Sequence, residues 1–219
     1  MMMASPERVT RADQKIVSLE PAKLPDAMLS NPRNSRDEHN FATNFACFRD
    51  EERFSTRLVT ANYWCNYDAT DVRYWFRLYD DKGDILAEWE EEIPDAPAGI
   101  VVDSAVVRAR FDLPAFCGQL FVHVLGARGH DVVKYALDTY GKNGEPSLSV
   151  THDANAWPSP RFATLPAPRP GETLVLWIQN SHATPIPAGA ITLNQMGEET
   201  HFPVTVEVGP FSTYALDVG

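Results

Sequence analysis

The sequence is short of most features that would announce a chemistry. It has three cysteines, Cys47, Cys65 and Cys117, with no CxxC spacing and with apolar or aromatic neighbours. An odd, scattered set argues against a disulfide framework or a cysteine-built zinc site and points to reduced, largely buried thiols. No run approaches the roughly 20 apolar residues of a bilayer helix, and Met1 to Arg8 pass into polar residues without the apolar centre of a signal peptide. The expectation is a cytoplasmic protein with no membrane partner, and the lack of any Asn-x-Ser/Thr glycosylation site agrees with it. Basic residues are scarce. Lys and Arg total 19 against 30 Asp and Glu, and no basic run offsets the formal charge of −11, so nucleic acid is not an expected partner.

Catalytic signatures are missing too. There is no GxSxG elbow, no GxxxxGKS/T or GxGxxG phosphate loop, and no HxH or HExxH pair among His39, His123, His130, His152, His182 and His201. The three cysteines have no histidine close in sequence to lower a thiol pKa. No catalytic residue, resident metal or cofactor is assigned on these grounds.

What is present is the texture of an all-β protein. Residues 1–40 carry Pro6, Pro21, Pro25 and Pro32 among scattered charges with little apolar periodicity, and read as a poorly structured N-terminal arm. From Phe41 onward, short runs rich in Val, Tyr, Phe, Trp and Thr are separated by Gly, Pro, Asp and Asn about every ten residues, a β-sandwich rhythm. Strands are expected over 57–63, 72–80, 85–93, 99–103, 106–112, 119–125, 132–140, 147–151, 173–180, 190–194, 202–208 and 212–218. Pro158, Pro160, Pro166, Pro168 and Pro170 form a stiff connector. The organisation read from this is an arm (1–40), a sandwich module (41–156), a connector (157–172) and a shorter second module (173–219). The fold class is two immunoglobulin-like, antiparallel β-sandwich modules. Ala69-Thr70, Gly83 and Asp103 recur as Ala183-Thr184, Gly197 and Asp217 at a spacing of 114, the mark of an internal repeat.

The hairpin over 72–93 is the best-specified element. With Lys82-Gly83 as a two-residue loop, Arg77 opposes Glu88, Arg73 opposes Glu92 and Trp75 opposes Glu90 on one face, while Phe76 and Leu78 oppose Trp89 and Ala87 on the other. The second face belongs to the core. Tyr74 then faces Glu91 on the inner side, a pairing that places it near a rim where the carboxylate reaches water.

The runs Leu58-Val59-Thr60-Ala61-Asn62, Arg77-Leu78-Tyr79-Asp80-Asp81-Lys82-Gly83-Asp84, Gly99-Ile100-Val101-Val102-Asp103, Gly118-Gln119-Leu120-Phe121-Val122-His123-Val124 and Asp131-Val132-Val133-Lys134-Tyr135 resemble a bacterial β-sandwich pattern. It is most similar to the small soluble transducers associated with sensory rhodopsins, over roughly residues 57–155. The resemblance implies a cytosolic, oligomeric, non-catalytic sandwich that works by binding partners.

Two sets of residues are candidate sites. Trp75, between Arg73 and Arg77 on the outer hairpin face, is a large ring between two cations and suits contact with a protein partner or a second copy, the alternative being a cation–π stack within one chain. His152, Asp153, Asn155 and Trp157, with Asn180 and His182 from the second module, offer the imidazole, carboxylate, amide and ring that orient a small polar or carbohydrate-like ligand in an inter-module cleft. Against this, His152 and Asp153 suit an Asx-type turn, and Asn180 and Ser181 suit a turn ahead of Pro185. The functional expectation is a non-catalytic binding or adaptor protein. Carbohydrate-like binding is its alternative, and a metal-dependent enzyme built from the histidine and aspartate clusters is a more distant one.

Overall fold

The computed structural model of the protein describes residues 41–129, 132–145, 148–152, 169–194 and 201–218, the stretch 148–152 by its backbone. It is mostly β, and its named strands pair antiparallel. The strands are β1 (Phe41–Asp50), β2 (Phe54–Ala61), β3 (Arg73–Asp80), β4 (Ile85–Glu92), β5 (Gly99–Asp103), β6 (Phe116–Leu125), β7 (Ala136–Gly141), β8 (Leu148–His152), β9 (Val175–Gln179), β10 (Thr192–Asn194), β11 (His201–Pro203) and β12 (Thr213–Asp217). A 3-10 turn spans Trp64–Tyr67, and one helix, α1, spans Ser104–Arg110.

Eight strands form one sheet in the order β4-β3-β6-β1-β2-β7-β8, with β5 also paired to β2. The joint between its wings is β1–β2, which share the pair Asp50↔Ser55. Beyond that joint the gap beside β1 is filled by residues 132–135. Val132 bridges Thr43, the Asn44 amide donates to the Val133 carbonyl at 2.8 Å, and the Tyr135 hydroxyl donates to the Phe45 carbonyl at 2.6 Å. The expected strand 132–140 therefore begins later, at Ala136. Side chains from both wings bury one core, with Phe48, Tyr74, Phe76, Leu78 and Val122 meeting Leu58, Val102 and Leu137. Fully burying each such large side chain contributes about 1.5–3 kcal/mol.

The hairpin register holds from Arg73↔Glu92 to Leu78↔Ala87, after which a bulge shifts Tyr79 onto Ile85. The loop has three residues, Asp81, Lys82 and Gly83, rather than two. Asp80 closes it, its N–H donating to the Asp84 carbonyl at 2.9 Å and its carboxylate accepting from the N–H groups of Lys82 and Asp84. Gly83 has the expected positive φ, +91°. Glu91 is answered by α1, since Arg110 reaches it at 2.6 Å.

Two larger differences separate the structure from the expected strands. The stretch 106–112 belongs mainly to helix α1, not to a strand. Asp103 caps its start by accepting from the Ala105 N–H at 3.0 Å, and Arg108 and Arg110 sit at its C-terminal end, where cations complement the helix dipole. The alternation Val106-Val107-Arg108-Ala109-Arg110 imitates a period of two. Conversely, β1 was not expected, although it lies inside the main sheet and pairs with β6 over ten residues. Its core-facing positions are Ala42, Asn44, Ala46, Phe48 and Asp50 and its outer ones include Phe41, Phe45 and Cys47, so neither face reads as apolar against polar.

The C-terminal strands form two two-stranded sheets, β9 with β12 and β10 with β11, around Ile178, Val204 and Val208. Of the expected strand 202–208 only His201–Pro203 forms a strand, although the Val204 N–H still donates to the Ile191 carbonyl at 2.9 Å and Val208 bridges Ile186. These strands and their loops lie against the outer face of the main sheet. Phe211 stacks on Tyr79 at 5.0 Å, Arg49 covers Trp177 at 5.0 Å, and the Gln119 amide donates to the Asn180 carbonyl at 2.9 Å. A Cβ on Gly83 would lie 2.2 Å from the Pro210 carbonyl oxygen, so the hairpin loop and the loop before β12 touch backbone to backbone.

Candidate partner-binding face

Beside the C-terminal strands, whose Phe211 stacks on Phe45 at 6.4 Å, the outer face of β1, β6 and β3 is paved with rings. Thr43 faces His123 and Phe45 faces Phe121 across β1–β6, and Trp75 faces His123 across β3–β6. Trp75 meets the edges of Phe121 at 5.6 Å and His123 at 5.8 Å, Phe41 lies 5.3 Å from His123, and Phe45 lies 5.0 Å from Phe121. Period-two alternation forces this pavement, because the same strands send Phe76, Val122 and Val124 to the core. Phe41 is 56% exposed; Phe45, Trp75, Phe121 and His123 are half-buried.

A charged margin runs beside the rings. The Arg77 guanidinium stacks on Trp75 at 4.8 Å and pairs with Glu88 at 2.6 Å, while Arg73, opposite Glu92, has its closest ion pair diagonally with Glu90 at 3.6 Å. The cation–π stack within one chain is made, and the Trp75 ring stays partly exposed on the outer face. Three carboxylates on β4 stand beside two guanidiniums on β3. The His123 imidazole is held below its ordinary range by burial, and its Nδ1 lies 2.9 Å from the Thr43 hydroxyl.

The candidate ligand residues are distributed differently. Asn180 is buried at the end of β9, and its amide donates to the carbonyls of Thr184, Val208 and Gly209 at 2.8, 3.2 and 2.8 Å. Its side-chain oxygen accepts from the His182 N–H at 3.1 Å, leaving the His182 side chain exposed. These two share one turn, as the turn alternative holds. His152 pairs with Ala136 in β8, the edge strand at the far end of the sheet order from β4, whereas Trp177, Asn180 and Phe211 meet the sheet at Arg49, Gln119 and Tyr79. The His152 side chain and residues Asp153, Asn155 and Trp157 lie outside the described residues, as does Gly197 of the suggested repeat.

Other polar clusters look inward. Asp50, its side chain 2% exposed, accepts from Ser55, from Arg108 at 3.0 Å and from Lys142 at 3.0 Å. Burial pushes its carboxyl up, but the three donors outweigh burial and hold it below the ordinary carboxylate range. The thiols are free, and burial raises Cys47 to about 11 and Cys117 further still, which makes both poor nucleophiles at neutral pH. Among the described residues no three His, Cys, Asp or Glu side chains are grouped to hold a metal ion, and no helix is long and apolar enough to cross a membrane.

Reading the sequence missed Phe41, Phe45, Phe121 and His123 as members of this face. The alternation Gln119, Phe121, His123, Leu125 was a usable signal, but it acquires meaning only when β6 lies beside β3, which no local pattern specifies. Comparison with protein-family models, curated proteins and solved structures gives no match.

Proposed function

We propose that the protein is a non-catalytic binding module that recognises a polypeptide through the aromatic outer face of its main sheet. One observation carries this reading: the partly exposed rings of Trp75, Phe121 and His123 form a contiguous row on the outer face of the sheet, beside the stack of Phe45 on Phe211. Rigid aromatic anchors with an arginine beside them are the composition of interface hot spots. The carboxylates of Glu88, Glu90 and Glu92 favour a partner with apolar side chains and basic neighbours. A polar-ligand cleft draws no support from Asn180, whose amide is engaged by three loop carbonyls.

The same reading treats the chain as two related sandwich modules. Arg57↔Asp103 to Ala61↔Gly99 in β2–β5 correspond in order to Val175↔Asp217 to Gln179↔Thr213 in β9–β12. A peptide array tests the binding function. Peptides with Leu, Met or aromatic anchors next to Arg or Lys are expected to bind, and Trp75→Glu is expected to abolish their signal. An array without hits, or hits indifferent to Trp75→Glu, would overturn it.

A further inference from the structure

The contact between the C-terminal strands and the main sheet is built unlike either core. The cluster of Ile178, Val204 and Val208 is separate from the core of the main sheet. Alternation produces this separation, because β9 and β12 send Leu176, Ile178, Tyr214 and Leu216 to their own cluster and turn Trp177, Gln179 and Thr213 toward the main sheet. The atoms Gln119 Oε1, Gln179 Nε2 and Thr213 Oγ1 are buried along this seam with no hydrogen-bond partner among the described residues. Unpaired buried polar atoms weaken a contact, since water would pair with each once the seam opened. The turn beside the seam is strained as well. Phe211 holds the third position of the turn that Ser212 closes by donating its N–H to the Gly209 carbonyl at 3.3 Å, and its φ of +54° favours glycine. Its ring is wedged between Tyr79 at 5.0 Å and Phe45 at 6.4 Å.

We propose that the C-terminal strands are a releasable cover, and that the sheet surface beneath them is a second, concealed half of the binding face. This rests on the reading of the ring row as a binding surface. β1 and β6 run on from the exposed rings into the covered zone, where Phe45 opposite Phe121 is followed by Cys47 opposite Gln119 and Arg49 opposite Cys117. The contacts to be broken include those of the Gln119 amide with the Asn180 and Ser212 carbonyls at 2.9 and 3.4 Å, of the Thr213 N–H with the Asp81 carbonyl at 3.0 Å, and of Arg49 with Trp177. The β9–β12 pairing and the cluster around Ile178 belong to the cover and stay intact as it lifts. A polypeptide that spans both halves binds the open form alone, so the open fraction sets its apparent affinity.

The test is site-resolved hydrogen exchange on the full chain, without urea and in urea too dilute to unfold it. The Thr213 amide, bonded across the seam, reports opening, and the β1–β6 ladder reports global unfolding. The expected Thr213 protection factor is roughly tenfold or more below that of the ladder and nearly independent of urea. Phe211→Ala, which removes the wedge, should lower it several-fold further, and Thr213→Val, which replaces the unpaired hydroxyl with a methyl, should raise it several-fold. The Cys47 thiol, between Phe45 and Arg49 on the covered face, should react with N-ethylmaleimide at a rate that follows the same two variants. The strongest array peptide should bind Phe211→Ala more tightly and Thr213→Val more weakly by similar factors. Exchange of Thr213 only together with the ladder would overturn the cover, and so would a peptide affinity unmoved by variants that shift the opening. If circular dichroism shows that Phe211→Ala is unfolded, Thr213→Val decides both points. An array without hits refutes the binding face, whereas the exchange and thiol rates alone decide whether the cover lifts.

Discussion

Asn62 and Asn180 perform the same task at the ends of two different strands. Each is buried, and each N–H continues its strand pairing by one residue, to the Ala98 carbonyl at 2.8 Å and the Ser212 carbonyl at 3.0 Å. Each amide then reaches into the loop ahead of the partner strand, Asn62 to Pro94 at 2.9 Å and Asn180 to Gly209 at 2.8 Å. The amide supplies the donor that a loop carbonyl would otherwise lack. Asn62→Ala and Asn180→Ala should each destabilise the protein by about 1–3 kcal/mol, the cost of leaving buried carbonyls unpaired. Urea titration checks this, and Asn→Asp should be no better, because a carboxylate cannot donate.

Asp50 holds the joint between the two wings. Removing it leaves Lys142 and Arg108 facing each other beside Ser55, and since both keep some access to water, Asp50→Ala should cost about 3 kcal/mol, near the low end for a broken buried pair. Its depressed carboxyl contributes stability that is complete above the ordinary aspartate value of about 3.9 and is lost as pH falls through the lower folded value. Asp50→Asn should flatten that acid limb in urea melts followed across pH.

His123 gives a second pH dependence. Burial among Phe41, Trp75 and Phe121 lowers its pKa, so below about 6.5 the unfolded chain takes up a proton that the folded chain does not. Stability should be full above that pH and decline below it. The difference in urea midpoint between about pH 7.5 and pH 5.5 should shrink in His123→Phe.

Gly83 ties the hairpin to the loop that precedes β12. Its positive φ and its approach to Pro210 leave no room for a side chain, so Gly83→Ala should destabilise by more than about 1 kcal/mol. Hydrogen exchange should quicken at the contact residue Thr213, whose N–H donates to the Asp81 carbonyl at 3.0 Å.

Much of this architecture was legible locally. The pairs of the 72–93 hairpin followed from charge and ring complementarity, because one register alone satisfied both faces. The loop length did not, since the bulge at Leu78/Tyr79 is set by Asp80 gathering two backbone N–H groups. β1 escaped detection because small and polar residues face the core and rings face outward. Helix α1 escaped because its arginines alternate with apolar residues; the Asp103 cap is a local signal, two residues from Ala105, whereas the contacts of Arg108 and Arg110 are tertiary. Trp75 was singled out correctly as lying on the outer face with Arg73 and Arg77, but its ring neighbours come from strands remote in sequence.

The central claim is that the ring surface around Trp75 is where this protein binds. The most direct measurement is isothermal titration of the strongest array peptide into wild type and Trp75→Glu, with urea melts to establish that both are folded. The account predicts binding to wild type and at least a tenfold weaker affinity for a variant of similar stability. Equal affinity in a folded Trp75→Glu would contradict it.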